Sequence, residues 1–285
     1  MAQVSVMVEE QSFTVAGKTF ACQLWHPQAH MPLLALHGWL DNSASFDFLA
    51  PLLTNHRVVA PDLAGHGLTD HRSLDSPYNI WQDVGEIHAL VQRLGWERFS
   101  LVGHSRGAAI ASLFAGTFPD KVAALVMLDG FLPETVRAED APLQLARAIA
   151  DKERYVARGT TFYPSLDDAI APRLKGPIAL SRKAALAIAR RGVGQGKEGF
   201  YWRADHRLRG ASEVKLTLAH TEAFVKRIDC PSLLMLAGQE VSPYHRHLLG
   251  LNANISVELM NGGHHLHMEE SVGNVADVIR GFLHS

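Results

Sequence analysis

The sequence predicts an α/β fold, a mostly parallel central sheet flanked by helices and interrupted by an inserted helical lid. Three observations predict it. Short, continuously apolar runs of strand length alternate with helix-like segments, as buried parallel strands do. That alternation stops from about residue 132 to 227 and resumes near 232. One strand–helix junction carries Gly103-His104-Ser105-Arg106-Gly107, a G-x-S-x-G pattern that fits a sharp turn with a serine at its tip.

Residues 4–9 and 14–23 read as two alternating strands joined by a turn. Residues 32–36 form a short apolar strand that ends in His37-Gly38-Trp39. A helix is expected to begin near Ser43 to Ser45 and to carry Phe46, Phe48 and Leu49 inward. Residues 57–60 give another buried strand, followed by the turn-rich stretch Pro61 to Thr69. Residues 80–95 read as an amphipathic helix with Gly95 near its C-terminal cap. The strand at 99–102, the serine turn and a helix over 108–114 follow, closed by Pro119. Residues 122–128 make a further buried strand that ends in Asp129-Gly130.

Beyond that point the expected elements are helices at 141–157, 166–171, 178–192 and 218–227. Strands at 232–237 and 255–260 and a helix at 274–283 complete the chain. The division expected is a core of 1–131 and 229–285, with a helical cap at 132–228.

Composition narrows the class. The chain has 285 residues, 27 basic and 29 acidic, for a net charge of −2. So even a balance argues against a nucleic-acid binder, which presents a strongly basic face. The two cysteines, Cys22 and Cys230, have neither metal-ligand spacing nor a disulfide framework, so a cytoplasmic location is the default expectation. No signal peptide or uninterrupted apolar run of membrane-span length is visible. Between Arg173 and Arg209, however, ten basic residues stand against Glu198 and Asp205 alone. This is either a solvated helical face or a charge that draws an anionic substrate or partner to the mouth of a site.

A serine hydroxyl is a poor nucleophile unless a base lies within hydrogen-bond reach and a third group orients that base. His264, in the loop after the last strand, is the candidate base, with His265 beside it as the alternative. Either Asp129 or Glu240 can supply the carboxylate, since both ends of strand lie between serine and histidine in the chain; Asp129 is preferred because it directly follows its strand. The oxyanion hole needs two backbone N–H groups. Arg106 should provide one and Trp39 the other, with Gly38 permitting the bend. Gly38, Trp39, Arg106 and Phe131 are the candidate substrate contacts, and Asp62, Gly65 and Gly67 read as a structural turn. No metal or organic cofactor is called for.

Together, His37-Gly38-Trp39, Pro61 to Gly67, Gly103 to Gly107 and Gly263-His264 resemble the α/β-hydrolase superfamily. Within it, His37 to Asn42 with Ser45-Phe46-Asp47, and Tyr201 to Arg209, resemble the serine hydrolase-like proteins. The resemblance implies a nucleophile at Ser105, a base at His264 and hydrolysis of an ester-like small molecule. An aspartate usually stands three residues past the glycine after the later strand; here that place is Val241, which raises Asp129. Serine at 105 argues against relatives that use a carboxylate nucleophile. Thioesterase, lactonase, carbon–carbon bond hydrolase and perhydrolase chemistry fit the same site. A non-enzymatic binding protein and a metal hydrolase using His264, His265 and His267 are the alternatives from other classes.

Overall fold

A computed structural model describes residues 8–176, 178–238 and 240–284. Its centre is an eight-stranded sheet in the order β1-β2-β4-β3-β5-β6-β9-β10. The strands are β1 (Glu9–Val15), β2 (Lys18–Trp25), β3 (Met31–Leu36), β4 (His56–Pro61), β5 (Phe99–His104), β6 (Val122–Leu128), β9 (Ser232–Ala237) and β10 (Ile255–Met260). The first two are antiparallel, and the six from β4 to β10 run parallel. Strands buried on both faces explain the unbroken apolar runs. In β5, Leu101 packs into the core on one face and Val102 into the core on the other. Helices α1 (Ile80–Leu94) and α2 (Arg106–Thr117) cover the first face, and α8 (Val272–His284) covers the second.

The opening hairpin differs from its expected bounds. Its turn lies at Ala16-Gly17, both with positive φ (49° and 74°), as a two-residue turn between right-twisted strands requires. The expected first strand falls mostly on residues outside the described range. A short 3-10 turn, Ser43–Phe46, stands where a helix was expected, and Asn42 caps it by accepting from Ala44 N.

Between β6 and β9 the chain leaves the sheet and forms α3 (Ala141–Ala157), α4 (Leu166–Ile170), α5 (Arg182–Gly192) and α6 (Leu218–Lys226). The segment is not wholly helical. A hairpin of β7 (Val193–Gly196) and β8 (Gly199–Trp202) lies within it, and Phe200 exchanges backbone hydrogen bonds with Tyr163. Glycines at 194, 196 and 199 obscured the strand pattern. The helix expected from 178 starts at Arg182, after Ser181 caps it by accepting from Ala184 N. Helix α6 lies against the core: a Cβ on Gly116 of α2 would sit 2.7 Å from Phe224 O. A further helix, α7 (Pro243–Leu249), follows β9 and is too short to show periodicity.

The inserted segment is tied to the sheet by buried polar contacts. Arg191 of α5 donates Nε to both oxygens of Asp62 (2.9 and 2.8 Å), and Asp62 is fully buried. Asp62 also accepts from Ser43 N and Leu68 N (2.8 and 2.7 Å). Arg173 pairs with buried Asp41, and Asn42 Nδ2 donates to Ile188 O at 2.9 Å. No described helix is long and apolar enough to cross a membrane.

Candidate active site

Ser105 lies between β5 and α2 with φ 50° and ψ −114°, a conformation that costs a non-glycine residue free energy and persists only where its surroundings impose it. The flanking glycines are what the surroundings demand. A Cβ on Gly103 would lie 2.4 Å from Gly107 O, and one on Gly107 would lie 2.0 Å from Leu36 O. Ser105 N donates to Leu128 O at 2.9 Å, which binds the serine turn to the end of β6. The next residue, Asp129, also has positive φ (43°), and Gly130 passes so close that a Cβ there would lie 2.7 Å from Ser105 Cα.

His264 stands in the loop after β10, where Gly262 takes φ 133°. Its Nδ1 lies 2.6 Å from Asp129 Oδ2. A carboxylate only accepts, so Nδ1 carries the proton and Nε2 presents a lone pair. Asp129 Oδ1 accepts from Ala237 N at 2.8 Å. Burial pushes the Asp129 carboxyl up, but the His264 and Ala237 hydrogen bonds outweigh it and leave its pKa below the usual value. Glu240, the other candidate carboxylate, is exposed and makes no hydrogen bond among the described residues. The Ser105 hydroxyl also makes none among them.

The residue before the serine has a role that the sequence alone did not show. His104 Nε2 lies 2.9 Å from His264 O, so it donates there and ties the histidine loop to the serine turn. Burial is the main force lowering the His104 pKa to about 3, which keeps the ring neutral. Gly38 leaves room for it: a Cβ there would sit 2.8 Å from His104 Nδ1.

The strand-end loop at 37–40 is held by two more buried, neutral histidines. His37 donates Nδ1–H to Gly38 O (2.8 Å) and accepts from Leu63 N (2.9 Å). His66 donates to Ala64 O and accepts from Leu40 N (3.2 Å). Burial lowers both pKa values. Trp39 N makes no hydrogen bond among the described residues, nor does Arg106 N at the first position of α2, so both are available as donors.

Ser105, Trp39 and Arg106 open into a cavity of about 750 Å³ roofed by α3 and residues 207–215. Arg106 contributes its edge rather than a free charge, because its guanidinium pairs with Asp83 at 2.5 Å. Phe131, expected at the substrate wall, is a correction. It is 1% exposed within the hydrophobic core, and the cavity lining does not include it. Gly38 does not line it either and acts through its backbone shape. The three histidines of the metal reading do not converge. Among the described residues the group that does is Asp41, His104 and His265, all buried, with His265 Nε2 3.3 Å from Asp41 Oδ2.

A profile of the α/β hydrolase fold matches residues 31–271. The chain belongs to the α/β-hydrolase family. Among curated relatives, the serine hydrolase-like protein of Danio rerio is 33% identical over 75% of this chain and 67% of its own length. The human serine hydrolase-like protein 2 is 35% identical over 71% of this chain and 66% of its own. The chain thus spans about two thirds of these relatives' length. A crystallised hypothetical protein of Pseudomonas aeruginosa PAO1 is 38% identical, with a TM-score of 0.92 over 98% of this chain and all of that one. The thioesterase domain of the curacin biosynthetic pathway, 24% identical with a TM-score of 0.83 over 96% of this chain and 99% of that one, shares the fold. In α/β hydrolases generally, a G-x-S-x-G junction between a strand and a helix is a pattern known to carry a nucleophile.

Proposed function

We propose that the protein is a serine hydrolase of ester-like carbonyl substrates. In this reading Ser105 Oγ attacks the carbonyl while His264 Nε2 takes its proton, and Asp129 orients the imidazole and stabilises its charged form. The backbone N–H groups of Trp39 and Arg106 receive the oxyanion. His264 then gives its proton to the leaving group, and an acyl-enzyme remains on Ser105. Water, deprotonated by His264, attacks the acyl carbon and releases the acid and the free serine.

One observation carries the reading. The 2.6 Å bond between His264 and Asp129 fixes the tautomer that a general base needs, at the rim where Ser105 is held in a strained turn. The names of the relatives agree with it. A cytoplasmic setting is supported by two cysteines that are both free and buried. The test is turnover of a panel of activated esters and thioesters by the protein and by Ser105→Ala. Hydrolysis by the first and none by the second supports the proposal. Equal rates in both would refute it.

A further inference from the structure

The cavity above Ser105 carries an unbalanced charge. Three of its cations, Arg147 and Lys152 on α3 and Arg209 in the strap over the serine, form no close ion pair among the described residues, although Arg147 acts on Glu134 and Lys152 on Asp75 from a distance. Its carboxylates are mostly committed elsewhere. Glu134 pairs with Lys215 at 2.6 Å. Asp151 accepts from Arg154 (2.8 Å) and from Ala211 N (2.9 Å). Glu213 alone among them has no partner among the described residues. The remaining cations are already matched: Arg106 to Asp83 and Arg207 to Asp205 (2.5 and 2.7 Å). The excess is therefore confined to the roof, and it faces the same space as the serine. Cations grouped in a cleft with low-dielectric walls raise the local concentration of anions and favour bound negative charge.

Resting on the serine hydrolase reading, we propose that the substrate is an ester or thioester that carries an anionic group, a carboxylate or a phosphate, away from its scissile carbonyl. Arg147, Lys152 and Arg209 receive that group. The carbonyl lies at Ser105, between the two oxyanion amides. Glu213, which has no ion pair among the described residues, opposes that group and lowers the preference for it.

The test uses matched esters: 4-acetoxybenzoate against neutral 4-acetoxybenzamide, with 4-acetoxyphenyl phosphate as the phosphate arm. The benzoate is expected to show a kcat/KM roughly tenfold above the amide at low salt, the yield of a few partly exposed charge contacts. That ratio should shrink toward one as salt shortens the screening length, and in the Arg147→Ala/Lys152→Met/Arg209→Ala protein. Glu213→Gln should raise it, which keeps the test intact if the triple variant does not fold. A still larger ratio for the phosphate ester assigns the site to phosphate; a ratio below the benzoate's assigns it to carboxylate. Equal kcat/KM for charged and neutral esters, or a preference indifferent to salt, would overturn the proposal. Calorimetric titration of Ser105→Ala with the same pair separates the two readings. Tighter binding of the benzoate upholds the anion site even without turnover, and equal binding removes it.

Discussion

Asp129 is the residue on which the proposed mechanism is most exposed. It gives one oxygen to His264 and the other to the backbone of Ala237, so an amide in its place can keep the shape and lose the function. Asp129→Asn would favour the wrong histidine tautomer, and kcat is expected to fall by roughly 10⁴-fold, as reported for the equivalent change in the serine-protease triad. Steady-state kinetics with an activated ester check this, and Glu240→Gln should leave the rate near that of the parent. His267 makes a different point. It is fully buried, and neither ring nitrogen has a hydrogen-bond partner among the described residues. Burial holds its pKa well below the ordinary value. Replacing both orphaned groups with apolar surface, as in His267→Phe, should be neutral to stabilising, most clearly at pH 5, as read by thermal melting.

At the level of elements, the serine turn depends on what its glycines leave out. Gly107→Ala would drive a methyl to 2.0 Å from Leu36 O, and backbone on both sides allows little retreat. A loss of more than about 3 kcal/mol is expected, the upper range for overpacking, measured by urea unfolding. The tie between the inserted segment and the sheet is the second vulnerable element. Arg191→Met leaves Asp62 charged and buried with its guanidinium removed, at a cost of about 3–5 kcal/mol, read the same way. These elements were unequally legible in the sequence. The parallel strands declared themselves because two-sided burial forces continuous apolar runs. The β7–β8 hairpin did not, since glycines carry no pattern and its partner contact, Tyr163, is distant in sequence. The role of His104 was also hidden, because it depends on a carbonyl 160 residues away. Phe131 was misplaced because an aromatic residue after a strand reads the same whether it turns into the core or into a cleft. The tie between Asp62 and Arg191 spans 129 residues and leaves no local signal.

On the scale of the whole molecule, buried histidines set the response to acid. His37, His66, His104 and His267 all have pKa values lowered chiefly by burial. Each binds a proton more readily when unfolded, so stability falls as pH drops below about 6.5. For His104 the loss continues toward about pH 3. Each such group contributes at most about 1.4 kcal/mol per pH unit, and only between its folded and unfolded pKa. The melting temperature should therefore drop between pH 7 and 5, where only Asp47, its carboxyl pushed up to about 6 chiefly by burial, is known to act in the opposite direction. A flat profile over that interval would mean that these rings become protonated within the fold. The same compact core positions Ser105, His264 and Asp129 from three separate strand ends, and the central claim is that this arrangement activates the serine. Labelling with a fluorophosphonate probe, followed by peptide mass spectrometry, tests it most directly. The account predicts stoichiometric modification at Ser105, abolished in Ser105→Ala and slowed in Asp129→Asn. A folded protein that takes no label at Ser105 would contradict it.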